Sequence, residues 1–134
     1  MKISDIEGIG PAFAKKLVAA GVRSTDKLLK VGATRKGREA LAAKSGIAAH
    51  TILEWVNRAD LYRIKGVGSE FSDLLEAAGV DTVVELAQRN AANLAAAFKK
   101  LLTEKPHIVR RVPGEKQIAG WVQQARLMPR MVEY

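Results

Sequence analysis

The sequence contains no cysteine, which excludes disulfides, thiolate zinc sites and a cysteine nucleophile. Its two histidines, His50 and His107, have no second histidine or suitably spaced carboxylate beside them, so no metal centre is expected. Apolar runs are short as well. Met1-Lys2 leads straight into Ile3-Ser4-Asp5-Ile6-Glu7, and nothing in the chain reads as a signal peptide or a membrane span. The expectation is a cytoplasmic protein with no membrane contact and no cofactor. Catalytic motifs are missing too. Ser4, Ser24, Ser45, Ser69 and Ser72 lie outside any motif that would activate a nucleophile, and Gly8-Ile9-Gly10 lacks the Lys-Ser/Thr of a nucleotide phosphate loop. The chain reads as a non-enzyme.

Positive charge and helical periodicity are what the sequence does have. Lys and Arg number 22 against 14 Asp and Glu, a formal charge of +8 that favours a polyanionic partner such as nucleic acid. Apolar residues recur at three- and four-residue spacing, alanine is abundant and β-branched alternation is absent, which predicts an all-α fold. At 134 residues the chain has enough material for one ordinary core or two small ones.

Two small cores are favoured by an internal repeat. The segment IEGIGPAFAKKLVAAGV, residues 6–22, returns as IKGVGSEFSDLLEAAGV, residues 64–80, and ILEWVNRADL, residues 52–61, returns as IAGWVQQARL, residues 118–127. The first pair is displaced by 58 positions (64 − 6) and the second by 66 (118 − 52), so eight residues are inserted within the second copy. The irregular TEKPHIVRRVPGEK, residues 103–116, is the expected place. The pattern predicts two tandem five-helix units, residues 1–60 and 61–134, rigidly joined through a shared helix because no Pro, Ser or Gly interrupts residues 52–65.

Each copy opens on apolar-x-Gly-apolar-Gly-x-x-x-small: Ile6, Gly8, Ile9, Gly10 and Ala14, then Ile64, Gly66, Val67, Gly68 and Ser72. Glycine permits positive φ, the apolar residue between the glycines plugs the core, and the next helix starts with unpaired N–H groups facing outward. Such a start attracts anions, helped by the helix dipole. Gly21 and Gly79 are placed to stop the helices, and Trp55 and Trp121 fall on apolar faces as packing residues. The copies differ in charge. Lys15 and Lys16 of the first become Asp73 and Leu74 in the second, and Ala12 becomes Glu70.

These residues resemble the helix-hairpin-helix motif of DNA repair, recombination and replication proteins. The segments AAGV-x-S-T-x-x-LL and AAGV-D-T-V-x-E-L, residues 19–29 and 77–86, are similar to the segment beside the hairpin in the C-terminal domain of the alpha chain of bacterial RNA polymerase. With GATRKGREAL and ILEWVNRADLYRIKGVG, nearly the whole chain resembles an uncharacterised family of bacterial proteins with tandem helix-hairpin-helix-like units. The resemblance implies a SAM-like, helix-hairpin-helix architecture and sequence-independent gripping of double-stranded DNA phosphates. The expected binding set is Gly8, Ile9, Gly10, Ala12, Lys15 and Lys16 in the first copy and Gly66, Val67, Gly68 and Ser69 in the second. Arg35, Lys36 and Arg38 are expected to add cations, as are Arg110, Arg111 and Lys116 of the insertion. The competing reading is a protein-interaction or scaffold module that keeps this fold without binding DNA, with a protein partner instead.

Overall fold

A computed structural model describes residues 2–134. Among the described residues all regular structure is helical. A 3-10 helix, Ile3–Asp5, is followed by α1 (Pro11–Ala19), α2 (Thr25–Gly32), α3 (Arg35–Ser45), α4 (Ala49–Leu61), α5 (Ser69–Ala77), α6 (Val83–Ala87), α7 (Ala91–Glu104) and α8 (Glu115–Leu127). There is no strand among them, only an isolated antiparallel bridge between Lys2 and Ser24.

Local chemistry sets these boundaries. Ser24, Thr34, Thr82 and Asn90 precede α2, α3, α6 and α7, and the side chain of each accepts the N–H three residues on, from Lys27, Gly37, Glu85 and Asn93. Each cap satisfies one of the donors a helix start leaves unpaired. At their C-termini α1 and α5 end alike. Val22 N–H reaches Leu17 O at 2.8 Å and Gly21 N–H reaches Val18 O at 3.0 Å, while Val80 N–H reaches Leu75 O and Gly79 N–H reaches Glu76 O, both at 2.9 Å. This double closure needs a left-handed residue at Gly21 (φ +91°) and Gly79 (φ +86°), as the glycine reading expected. The ten residues between α7 and α8, 105–114, form no helix and fall inside the segment predicted to hold the insertion.

The chain groups into two compact units. One holds the residues up to Asp60 together with Arg130–Tyr134, and the other holds Leu61–Pro129. Residues 130–134, which a division at 60/61 leaves with the second unit, therefore group with the first. Glu133 N–H donates to Ala33 O at 2.7 Å, Arg38 Nη2 donates to Glu133 O at 2.7 Å, and Val132 is buried.

In the first unit Ile6, Ile9, Leu17, Leu28, Ile52 and Trp55 are buried. Here α2 runs so close to α4 that a Cβ at Gly32 would lie 2.4 Å from Val56 Cγ2. In the second unit Leu74, Leu75, Leu86, Leu94, Phe98 and Trp121 belong to one buried cluster.

Candidate nucleic-acid interface

The first hairpin is a tight turn built on Trp55. Ile9 N–H bonds to Ile6 O at 3.1 Å, Ala14 N–H bonds to Gly10 O at 2.9 Å, and Ile9 is 4% exposed, so it plugs the core as its position predicts. Gly8 has φ +93°, and a Cβ there would sit 3.5 Å from Trp55 Nε1. Trp55 in turn packs edge-on against Phe13 of α1, with ring centroids 5.2 Å apart. The Trp therefore holds both the turn and the helix that follows it.

The open side of this turn carries donors. Gly8, Gly10, Pro11 and Ala12 are exposed, and no side chain caps α1. Among the described residues no hydrogen bond engages the N–H groups of Gly8, Gly10 or Ala12. Lys15 and Lys16 are exposed. Lys16 leans back toward the start of the helix, with its Nζ 5.8 Å from the Phe13 ring centroid, the direction helical side chains favour. Glu7, also exposed, is the carboxylate within the turn.

The second hairpin repeats the backbone and changes what surrounds it. Val67 N–H bonds to Ile64 O at 3.1 Å and Ser72 N–H bonds to Gly68 O at 2.9 Å, while Gly66 has φ +95°. A Cβ at Gly66 would lie 3.2 Å from Trp121 Nε1, and Trp121 packs against Phe71 with ring centroids 5.1 Å apart and planes tilted by 51°. Val67 is a plug at 5% exposure. Here, however, the side chain of Gln124 on α8 clamps the turn: its Oε1 accepts Lys65 N–H at 2.8 Å and its Nε2 donates to Lys65 O at 3.1 Å. Gly68 and Ser69 are half-buried, and Glu70 pairs with Arg110 at 3.5 Å. Of the insertion's cations, Arg110 is thus drawn to a carboxylate. No side chain caps α5.

The basic run of α3 does not act as one group. Arg38 is 4% exposed and serves as an internal donor: Nη1 reaches Gly32 O at 2.8 Å and Ala33 O at 3.3 Å, and Nη2 reaches Glu133 O. It ties the end of α2 to the C-terminal residues and offers no free face to a phosphate, which corrects its place among the expected contacts. Arg35 is exposed but pairs with Glu39 one turn on, at 3.3 Å, while Lys36 is exposed. Gly37 and Lys44 share a cleft of about 320 Å³ with Ala20 and Gly21 at the C-terminal end of α1. That end is roughly 14 Å of helix from Gly10, so Gly37 of α3 meets α1 away from the first hairpin. One sequence signal marks Arg38 as internal. It stands three residues before the buried Leu41, on the same helix face.

Among the described residues the protein is all-helical, and each of its two glycine turns has a buried plug and leads into a helix whose start carries no side-chain cap. The chain belongs to the family described as a domain of unknown function, DUF4332, which matches residues 7–128. No curated protein and no solved structure matches it. Among the described residues no helix is long and apolar enough to cross a membrane.

Proposed function

We propose that this chain is a non-catalytic, cytoplasmic nucleic-acid-binding protein, built from two tandem helix-hairpin-helix units, that holds double-stranded DNA by its phosphates without reading bases. The observation that carries the reading is the first hairpin. Its free N–H groups at Gly8, Gly10 and Ala12, the uncapped start of α1 and the exposed ammonium groups of Lys15 and Lys16 favour an anion there. Amides at a helix start and nearby cations act on a phosphate together. Contacts of this kind position a protein on the duplex and carry no sequence information.

The test is fluorescence anisotropy of labelled duplex across a salt series. Binding is expected with a log–log slope of about −0.9 for each phosphate neutralised, so a footprint of two to four phosphates gives roughly −2 to −4. Lys15→Glu with Lys16→Glu should abolish binding and leave the circular dichroism spectrum unchanged. Unaltered affinity in that variant would refute the placement.

A second reading, a protein-interaction module, is favoured by one feature. Phe13 and Val18 of α1 are 37% and 40% exposed, apolar surface that a phosphate contact does not use. It requires no duplex binding even at low salt.

A further inference from the structure

The second unit contains a cleft of about 590 Å³ where the α6–α7 junction faces α8. Its polar groups come from Arg89, Asn90, Gln123 and Arg126, its floor includes Ala119 and Val122, and no Asp or Glu lines it. We propose that this cleft is a phosphate-binding site. The inference goes beyond the reading of the first hairpin and rests on the cleft's own groups.

Each arginine reaches one backbone carbonyl and keeps donors to spare. Arg126 Nε donates to Ala87 O at 3.1 Å, and Arg89 Nη1 donates to Ala78 O at 3.4 Å. Among the described residues neither guanidinium makes another hydrogen bond or ion pair. Each therefore spends one nitrogen on a backbone carbonyl and keeps the rest of its fork, whose planar geometry suits two oxygens of a phosphate. Anchoring in the unbound protein reduces the side-chain entropy lost when a ligand arrives. Asn90 adds a donor. Its Oδ1 is committed to Asn93 N–H, which leaves its amide NH₂ for a ligand.

The first unit has no equivalent. At the 66-residue displacement Arg126 matches Asp60, a carboxylate 1% exposed, and Arg89 matches Val31 at the 58-residue displacement or Ala33 when counted from the caps Thr34 and Asn90. The unit with Asp73 and Leu74 in place of Lys15 and Lys16 thus holds two arginines at positions where the other has none. The cleft's volume is in the range of small-molecule pockets, with room for more than a bare phosphate. A nucleic-acid backbone and a free phosphate monoester are the two sources of that chemistry.

The experiment titrates the full chain with inorganic phosphate at constant ionic strength while following arginine side-chain Nε–H resonances. Arg89 and Arg126 are expected to shift saturably at millimolar phosphate, and the exposed Arg23 and Arg111 are not. Arg126→Gln should weaken binding roughly tenfold, as loss of one charge-assisted contact would. Because that change also removes the bond to Ala87, Gln123→Glu is the second variant. It keeps both arginines and sets a carboxylate in the cleft, and the same loss is expected. Equal shifts at all arginines, or unchanged affinity in both variants, would overturn the site. Competition by a blunt duplex lacking terminal phosphates assigns it to backbone phosphodiesters, and competition by a nucleoside monophosphate alone assigns it to free monoesters. Either supports the site, and competition by neither overturns it.

Discussion

The two hairpins share a backbone and differ in what covers it. Gly8 and Gly66 lie within two degrees in φ, both turns are closed by the same bonds, and each rests on a tryptophan that also holds the following helix through a phenylalanine. Yet α1 buries only Leu17, whereas α5 buries Ser72, Leu74 and Leu75. The residue opposite Lys16 is Leu74, which is fully buried in the second unit's cluster with Leu94 and Phe98. Counted from their caps, Arg38 and Ala42 of α3 fall where α7 has Leu94 and Phe98, and both of these share a buried apolar cluster with Leu74. Loss of a lysine from the second hairpin is therefore partly a packing change. The sequence alone suggests only a reversal of charge.

The strongest test of this comparison exchanges the two residues. Leu74→Lys removes a fully buried side chain and desolvates an ammonium, and it should cost about 3 kcal/mol or more. Lys16→Leu, at an exposed position, should stay within about 0.5 kcal/mol. Chemical denaturation followed by circular dichroism measures both, and equal costs would break the contrast. Next in size is Arg38→Leu, which copies the second unit's residue into the first. It removes the guanidinium from the carbonyls of Gly32 and Glu133, while Ala33 O keeps the Glu133 N–H, for an expected loss of about 2 kcal/mol. The likeness of the turns is sharpened by a pair of smaller changes. Gly8→Ala and Gly66→Ala each force a side chain into a left-handed conformation at about 1–2 kcal/mol, read from the shift in denaturation midpoint. Gly66→Ala should be the worse, since its Cβ would lie 3.2 Å from Trp121 against 3.5 Å at Trp55. The smallest effect is expected of Arg35→Leu, which should change stability by less than about 0.5 kcal/mol in the same denaturation assay because its ion pair with Glu39 is exposed.

Much of the fold was legible because its signals are local. Gly21 and Gly79 sit where a helix must reverse, and Ile9 and Val67 occupy the plug of each turn. The candidate site was legible in part. Gly8, Gly10, Ala12, Lys15 and Lys16 are exposed, whereas Arg38, whose one sequence signal is its place three residues before Leu41, is buried by partners at residues 32, 33 and 133. The Gln124 clamp on Lys65 joins residues 59 positions apart, and no spacing rule announces it. The arginine cleft likewise draws Arg89 and Arg126 from segments that are remote in the chain.

By itself the sequence determined the helical class and the glycine turns, because each depends on the periodicity or φ preference of a few neighbouring residues. Only the tertiary structure decided which cations stay in water. That choice depends on which carbonyls or apolar neighbours occupy the space around a side chain, and some of these, such as Glu133 O beside Arg38, come from parts of the chain far away in sequence.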